Sequence, residues 1–418
     1  MKKFLILILL LTISSKSFSN TILIPMDEDQ KNHLKAYGLV YWGLAKGITF
    51  DWLLNYRGGS FSCASIQAIE KECILKGVTY KIIADAQYER IKNEILVPET
   101  NMDVVKLEKT PKIAVYSPRS KQPWDDAVTM VLTYAEIPYD TIYDDEVMKG
   151  KLLTYDWLHL HHEDFTGQQG KFWSSYRNAA WYQAEEKENR NCANRWGFKK
   201  VSKLKLAVAN KIQEFVAGGG YLFAMCSATD TYDITLAADN TDICDVMFDG
   251  DGIDKNCNSK LHYDNCFAFT DFKVSLNAYE YEFSTIDVPQ FREITEENDL
   301  FTLFEFSAKS DPVPTMLTQN HTRLIKGFMG QTTAFKKQHI KPGVLVMGEN
   351  RALNEARFIH GTTGKGMWTF YGGHDPEDYQ HIVGEPPTDM NLHPNSPGYR
   401  LILNNVLFPA AKKQKRKT

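Results

Sequence analysis

The sequence has no pair of cysteines at C-x-x-C spacing, no apolar run of membrane-spanning length beyond its N-terminus, and no excess of positive charge. The first absence argues against the common structural zinc sites. The second argues against a transmembrane helix, which needs roughly 20 consecutive apolar residues. The net charge is −4 at pH 7, unlike the strongly basic balance of a general nucleic-acid binder. We therefore expect neither a membrane span nor a nucleic-acid partner.

The N-terminus has the pattern of a secretory signal. Lys2 and Lys3 precede an apolar run over residues 4–13, and small residues follow up to Ser19. A charged start, a short apolar stretch and a small-residue cleavage site are typical of a segment that is removed on export. We therefore predict a signal peptide over residues 1–19 and a bacterial protein of the periplasm or the extracellular space.

The length and the order of patterns predict two domains. At about 150 residues per domain, 418 residues suffice for two domains with a substantial core. A polar connector ends a small N-terminal α/β domain, residues 20–110, and a larger domain follows over residues 111–411. Within the larger domain, an irregular and aromatic-rich insertion covers about residues 228–341, which we expect to cap the sheet. Residues 412–418 form a basic, solvated tail.

Strand-like and helix-like stretches alternate in both domains. In residues 20–110 the order strand, helix, strand, helix, strand, helix predicts a small parallel sheet. The glycine-containing loop at residues 57–60 is either a plain turn or a group of backbone amides that bind an anion. In the larger domain, an amphipathic helix over residues 201–216 leads into a short apolar strand over residues 221–225. A second apolar strand covers residues 366–371.

Seven cysteines in an exported chain leave at least one without an intramolecular partner. This count predicts three disulfide bonds and one free thiol, which we assign to Cys226 because it alone lies where a predicted strand turns. Cys63 and Cys73 are close enough in sequence to form a local bridge. The remaining four cysteines are expected to form two more bridges: Cys192, Cys244, Cys257 and Cys266. The alternative is that several of the seven are buried thiols.

Two polar residues that end predicted strands suggest a nucleophile with its base. Cys226 follows the strand at residues 221–225, and His374 follows the strand at residues 366–371. In open α/β sheets, sites form at the carboxyl ends of the strands, so we expect these side chains to meet. An imidazole can deprotonate a thiol and make it nucleophilic. The alternative for Cys226 is a buried structural thiol at a tight turn.

Neighbouring residues supply the other parts of such a site. Asp375 or Glu377 is positioned to orient the imidazole of His374, in the logic of a catalytic triad. The amide of Ser227, the residue after the presumed nucleophile, is expected to donate to an oxyanion. A second donor is expected from the loop at residues 117–123.

These motifs resemble those of the class I glutamine amidotransferase-like superfamily, over roughly residues 112–407. Members of that superfamily use a Cys-His-Glu triad, with a G-x-C-x-G elbow and an H-P-E motif. The resemblance implies a flavodoxin-like, doubly wound, mostly parallel sheet and hydrolysis of an amide such as that of glutamine. It implies that Cys226 is the nucleophile, His374 the base and Glu377 the orienting residue. This elbow lacks both glycines and Asp375 is inserted in the second motif, so either carboxylate fits the third role.

The whole chain also resembles a group of exported bacterial proteins that carry the label asparagine synthetase B. ATP-dependent asparagine synthetases use a processed N-terminal cysteine and an S-G-G-x-D-S motif, and the sequence contains neither. The resemblance therefore implies the fold and the site without that activity.

A histidine-rich run ends another predicted strand and is expected to face the same cleft. His159 and His161 are two residues apart, so they point to one side of a strand, whereas His162 points to the other. Two imidazoles with the nearby carboxylate of Glu163 suit a transition metal. The same residues also suit a role in the substrate pocket, or hydrogen bonds within a loop.

An acidic loop offers oxygen ligands at alternating positions. Asp249, Asp251 and Asp254 are interleaved with glycines, in a spacing that resembles calcium loops. The glutamate at the twelfth position of an EF-hand is absent. The alternative is a plain acidic loop. Asp230 and Asp233 are either carboxylates that begin a helix or pocket residues, and Asp126 is interpreted first as part of a helix start.

The sequence therefore predicts an α/β protein with a small N-terminal domain and an amidotransferase-like domain that contains a large insertion. The expected activity is that of a cysteine hydrolase or amidase acting on a small amide, a peptide or an envelope-derived substrate, with no required cofactor. The alternative is a non-catalytic binding module for a glycan or a protein partner.

Overall fold

The computed structural model describes residues 20–118, 126–288, 292, 294–380 and 382–411. The predicted signal peptide and the basic tail lie outside these residues and stay predictions, as does most of the loop at residues 117–123. The described chain is a mixed α/β protein with two sheets.

The N-terminal part contains a five-stranded sheet and helices packed on it. Its elements are β1 (Asn20–Ile24), α1 (His33–Ala45), β2 (Phe50–Leu54), β3 (Ser60–Ala64), α2 (Gln67–Lys76), β4 (Lys81–Ala84), α3 (Asp85–Ile95) and β5 (Asp103–Leu107). The strand order is β4-β1-β3-β2-β5, and every neighbouring pair is antiparallel.

The prediction of a parallel sheet for residues 20–110 is therefore wrong. Sequence reasoning missed β3 and β5, and β3 follows β2 too closely for the crossover that a parallel pair needs. Arg57, Gly58 and Gly59 all have positive φ angles and turn the chain back between the two strands. The loop at residues 57–60 is thus a hairpin turn.

The larger part of the chain forms the second sheet and the helices around it. Its strands are β6 (Ile113–Tyr116), β7 (Asp140–Ile142), β8 (Trp157–Leu160), β9 (Tyr221–Met225), β10 (Leu300–Leu303), β11 (Leu324–Lys326), β12 (Phe335–Lys336), β13 (Leu345–Asn350), β14 (Glu355–Thr363) and β15 (Gly366–Tyr371). Its helices are α4 (Ala127–Tyr134), α5 (Asp144–Met148), α6 (Trp173–Tyr176), α7 (Ala180–Arg195), α8 (Val201–Gly218), α9 (Ala228–Ala237), α10 (Val246–Asp249), α11 (Pro312–Leu317) and α12 (Pro397–Leu407).

One half of this sheet is parallel and the other half is antiparallel. Strands β7, β6, β8, β9 and β15 lie side by side and run parallel, so that their spatial order, numbered along the chain, is 2-1-3-4-5. Beyond β15, strands β14, β13, β10 and β11 continue the sheet in antiparallel pairs. The short β12 pairs with β14.

The expected insertion at residues 228–341 is more regular than the sequence indicated. It begins with helix α9, and its strands β10 and β11 extend the edge of the sheet. Within the insertion, the buried carboxylate of Asp233 in α9 accepts hydrogen bonds from the amides of Phe267, Ala268 and Phe269, so it anchors that segment to α9.

The parallel strands are buried on both faces. Tyr221, Phe223 and Met225 of β9 belong to a core cluster that includes residues of α4 and α12, whereas Leu222 and Ala224 belong to a second cluster with α8 and α9. Successive side chains of a strand point to opposite faces of the sheet, so alternate residues of β9 enter different cores when helices cover both faces.

The N-terminal part shares its core with the larger part. One cluster of buried residues contains side chains from α1 and β2 together with side chains from α4 and α12. Arg400 of α12 is fully buried and donates to the carbonyl of Met26, at 2.8 Å. The division into two domains at residue 110 stays a prediction.

All seven cysteines lie in the described part of the chain, are buried and carry free thiols. The three disulfide bonds that we expected are therefore absent from the structure. Three of the thiols have oxygen partners instead: Cys192 with Asp145, Cys244 with Thr166, and Cys266 with Asp233. The alternative of buried thiols describes these residues better.

Among the described residues, no helix has both the length and the apolar character needed to cross a membrane.

Candidate functional site

The candidate site lies at the carboxyl ends of the parallel strands. The chain leaves β8 at His161 and His162, leaves β9 at Cys226, and leaves β15 shortly before His374. Asp126 begins the helix that follows β6. Since carboxyl ends of adjacent parallel strands meet at one edge of a sheet, these residues from distant parts of the chain come together.

Cys226 occupies a strained turn between a strand and a helix. Its φ angle is +49°, in the left-handed region that residues with a side chain rarely adopt. Its amide donates to the carbonyl of Gly373 at 3.2 Å, and its carbonyl accepts from the amide of Thr229 at 3.1 Å. Strain of this kind costs about 1–3 kcal/mol and persists where the surroundings enforce it. The predicted position of Cys226 at a sharp strand-to-helix turn is confirmed.

The sulfur of Cys226 is surrounded by backbone amides. Burial raises the pKa of the Cys226 thiol to about 11, although hydrogen bonds from the amides of Thr332, Gln331 and Ser227 act in the opposite direction. At neutral pH the resting side chain is therefore a thiol. The amide of Ser227, expected to serve an oxyanion, faces the sulfur, and sequence reasoning missed the amides of Gln331 and Thr332.

Gly330 packs closely against the sulfur of Cys226 and leaves no room for a side chain. A Cβ atom added to Gly330 would lie 2.9 Å from the backbone nitrogen of His374 and 3.0 Å from Sγ of Cys226. The adjoining backbone is fastened to the loop after β15, because His374 N donates to Met329 O and Gly373 N donates to Thr332 O, both at 2.9 Å. The segment at residues 329–333 thus covers Cys226, which is only 1% exposed.

Three buried imidazoles meet beside this turn. The ring centroid of His374 lies 4.4 Å from that of His161 and 5.8 Å from that of His162. The potential ligand nitrogens of the three rings lie within 4.8 Å of one another. The expectation that His162 points away from His161 is wrong, because β8 ends at Leu160 and the alternation of a strand no longer applies.

Asp126 joins this cluster to His159. Its carboxylate lies 3.3 Å from Nε2 of His159 and 3.4 Å from Nδ1 of His161, which confirms that these two histidines share one side. Burial by itself raises the pKa of Asp126, but the two imidazoles more than offset it and hold the pKa well below its usual value. Burial lowers the pKa of His159, whose Nδ1 lies 3.1 Å from the carbonyl of Phe223. Sequence reasoning assigned Asp126 only a helix start. It is indeed the N-cap of α4, accepting from Thr129, and it also orients two imidazoles.

Other groups engage the two carboxylates that were expected to orient His374. Asp375 accepts hydrogen bonds from the hydroxyls of Tyr399 and Thr388, both at 2.7 Å. Glu377 lies 3.1 Å from Nδ1 of His393, at the edge of a cavity of about 530 Å³. Asp126 also contacts the histidine cluster, through His161, and the predicted orienting role of Asp375 or Glu377 toward His374 stays a prediction.

A cleft lined by carboxyl groups and aromatic rings leads to His162. It is lined by Glu163, Asp164, Glu185, Phe172, Trp181 and Tyr182, among others. Burial raises the pKa of Glu163 to about 8 and that of Glu185 to about 7. Glu163 accepts from the amide of His161 at 2.9 Å, so the predicted pocket residue Glu163 does lie next to the histidines.

Asp230 supports the cover over Cys226. Its carboxylate accepts from the hydroxyl of Thr332 at 2.8 Å, and burial raises its pKa to about 7. Asp230 lies in the first turn of α9, as predicted, whereas Asp233 lies further along the helix.

Lysine side chains from outside the acidic loop at residues 249–254 already pair with its carboxylates. The ammonium of Lys200 contacts the carboxylates of Asp249, at 3.0 Å, and Asp251. Asp254 lies 3.2 Å from Nζ of Lys260. A calcium ion bound by these carboxylates would have to displace Lys200.

Comparisons with known proteins give distant structural likenesses. No family model matches the chain, and no curated protein matches it. Two solved structures of cytoplasmic proteins from Salmonella typhimurium, STM3548 and STM1381, are similar at 9% and 14% identity, with TM-scores of 0.35 and 0.36. Each covers 72% of this chain and 100% of its own. The GH42 β-galactosidase Gan42B from G. stearothermophilus is similar at 12% identity over 64% of this chain and 28% of its own, with a TM-score of 0.29. At these scores, the likenesses carry no argument about function.

Proposed function

We propose that this chain is a cysteine-dependent hydrolase or amidase of the class I glutamine amidotransferase-like kind. Its substrate is a small amide, a peptide or an envelope-derived compound. The observation that carries the proposal is the strained turn at Cys226, with a φ angle of +49° and backbone amides directed at its sulfur. A nucleophile elbow has this strand-to-helix geometry, with the amide of the following residue as an oxyanion donor.

In the proposed reaction, the imidazole of His374 accepts the proton of the Cys226 thiol, and the sulfur forms a bond to the carbonyl carbon of the substrate. The electron pair of the C=O bond moves to the oxygen, where backbone amides such as that of Ser227 donate hydrogen bonds. When this pair returns, the C–N bond breaks and the imidazolium gives its proton to the leaving amine. Water, deprotonated by the same imidazole, then hydrolyses the thioester to an acid and the free thiol.

The reaction requires the cover at residues 329–333 to move. Cys226 is buried, and burial raises the pKa of its thiol to about 11, so the closed form protects the sulfur from solvent. Substrate would enter through the cleft that ends at His162. Glu377 or Asp375 orients His374 in this proposal, and Asp126 adds a carboxylate that acts on His161 within the histidine cluster.

The proposal also includes the sequence predictions about the type of sheet, export, partners and cofactors. The order 2-1-3-4-5 of the parallel strands supports a flavodoxin-like, doubly wound sheet. The pattern at residues 1–19 supports export to the periplasm or the extracellular space. We propose no nucleic-acid partner and no membrane span. The hydrolysis as written needs no cofactor, and calcium at Asp249, Asp251 and Asp254 is a lesser proposal.

The experiment is acylation followed by intact-mass spectrometry. The protein is incubated with p-nitrophenyl acetate, whose reactive ester reports a nucleophile without knowledge of the natural substrate. We expect one acetyl group on Cys226, none in Cys226→Ala, and slower acylation in His374→Ala. Cys244→Ala is the matched control, since it removes a buried thiol outside the turn. An unmodified Cys226 in the wild type, or an adduct that persists in Cys226→Ala, contradicts the proposal, and an unmodified protein favours the binding module.

A further inference from the structure

We infer that His161, His162 and His374 form a binding site for a divalent transition-metal ion of the zinc class. The inference concerns the three imidazoles alone and stands whether or not Cys226 reacts. The nitrogen lone pair of His374 that coordinates an ion cannot also accept the thiol proton, so the metal-bound protein and the acylating protein are alternative states of this site. Imidazole nitrogens suit zinc and its neighbours, and three protein ligands are the number that catalytic zinc sites use.

The first support is the burial of three imidazoles in one place. His161 is fully buried, and the relative exposures of His374 and His162 are 3% and 9%. They come from the ends of two non-adjacent strands, β8 and β15, so that the fold itself, rather than a local sequence repeat, brings them together. A group of three buried imidazoles that meet at the ends of two strands is the donor set that a transition-metal ion takes.

The second support is the orientation of His161. Its Nδ1 lies 3.4 Å from Asp126 and 3.3 Å from Nε2 of His159, whereas its Nε2 is buried and has no hydrogen-bond partner among the described residues. A carboxylate at Nδ1 holds the proton on that nitrogen, which leaves the lone pair of Nε2 available. Metal-binding histidines almost always have this arrangement, with the second ring nitrogen donating to a carboxylate or a carbonyl.

The third support is the fit of the distances. The ligand nitrogens lie within 4.8 Å of one another. Zinc at about 2.0–2.1 Å from each nitrogen in tetrahedral geometry places the nitrogens about 3.3 Å apart, and 4.8 Å is the upper bound on their separations in the metal-free site. Three protein ligands leave one coordination position for water or a substrate atom.

Two neighbouring groups of ligand-type residues are less suitable. Asp126, His159 and His161 also lie close together, but in that group the carboxylate contacts both imidazoles, and Nδ1 of His159 lies 3.1 Å from the carbonyl of Phe223. Asp242, Cys244 and Asp249 form another group, in which the ammonium of Lys200 contacts both carboxylates. Cys226 belongs to none of the groups found among the described residues, so the thiol is not a ligand.

The test measures metal binding directly. Protein freed of metal with a chelator is titrated with Co²⁺, followed by its visible absorption, and with Zn²⁺ in a calorimeter. We expect one ion per chain and the intense visible bands of a four-coordinate cobalt site. His162→Gln removes a ligand at the most exposed of the three positions and is expected to weaken binding at least a hundredfold. Asp126→Asn is expected to weaken it about tenfold to a hundredfold, while asparagine still caps α4.

Two variants serve as controls that should bind the ion normally. His393→Gln removes a histidine that pairs with Glu377, outside the cluster. Cys226→Ala removes the proposed nucleophile. Circular dichroism verifies that each variant is folded. If the wild type binds no stoichiometric ion, or if His162→Gln binds as tightly as the wild type, the inference is wrong. Binding of the ion by a protein that forms no acyl adduct would remove the proposed function and leave this site intact.

Discussion

The guanidinium of Arg357 forms a buried ion pair with the carboxylate of Asp299, with Nη2 at 2.8 Å from both carboxylate oxygens. The other nitrogen, Nη1, donates to the carbonyls of Phe328 at 2.9 Å and Thr333 at 3.3 Å. Phe328 immediately precedes the segment at residues 329–333 that covers Cys226, and Thr333 ends that segment. The Arg357–Asp299 pair therefore joins strand β14 to both ends of the covering segment.

Replacing Arg357 should destabilise the protein strongly. Arg357→Met leaves the carboxylate of Asp299 buried without its main partner, which costs about 3–5 kcal/mol in comparable cases. The free energy of unfolding, measured by urea denaturation, should fall accordingly. Arg351→Met is the matched control, because Arg351 is mostly exposed and its partner Glu349 keeps a second cation, Lys337. An equal decrease in the free energy of unfolding in both variants would show that the buried ion pair stabilises the protein no more than the exposed one.

Gly330→Ala should disturb the cover over Cys226. The added Cβ would lie 3.0 Å from the sulfur and 2.9 Å from the backbone of His374, so one of the two sides must move. Such overpacking typically costs about 1–3 kcal/mol. We expect lower stability and faster alkylation of Cys226 by iodoacetamide. Gly252→Ala is the control, because a Cβ there meets no atom within 4 Å. Unchanged alkylation in Gly330→Ala would show that this segment does not limit access.

The strand ends of the site could be predicted from sequence because their signals are local. Strands β2, β9 and β15 have the boundaries that their short apolar runs indicate. Cys226 directly follows β9, and His374 lies three residues after the end of β15. In contrast, β3 and β5 were missed, since the serines of Ser60–Ala64 and the polar residues around Asp103–Leu107 do not form apolar runs.

The rest of the site depends on tertiary contacts that no local pattern encodes. The amides of Gln331 and Thr332 reach Cys226 because Asp287 accepts from the amides of Thr333 and Ala334 and holds the segment in place. Asp126 looks like an ordinary N-cap in sequence, and only the parallel pairing of β6 with β8 brings it to the histidines. A carboxylate in the loop after the first strand of a parallel sheet was the one signal available for it.

Alkylation of Cys226 should depend steeply on pH. With the thiol pKa raised by burial to about 11, the thiolate fraction grows about tenfold for each pH unit up to that value. The rate with iodoacetamide, measured by mass spectrometry of the Cys226 peptide, should rise throughout the range from pH 7 to 10 without a plateau. Cys226→Ala serves as the blank for the other thiols. A plateau near neutral pH would mean that the resting sulfur is already a thiolate.

Glu163→Gln should change how stability depends on pH. Burial raises the pKa of Glu163 to about 8, whereas an unfolded chain has it near 4.3, so between these values the folded state binds the extra proton. Stability from this group is therefore present at low pH and is lost as pH rises towards about 8, with a slope of up to about 1.4 kcal/mol per pH unit. Glutamine stays neutral, so urea denaturation between pH 5 and 8 should give a flatter profile and higher stability at pH 8. Glu214→Gln, on an exposed part of α8, should leave the profile unchanged. If Glu163→Gln has the same slope as the wild type, then Glu163 is already ionised in the folded protein at neutral pH, and the cleft beside the histidines carries a negative charge.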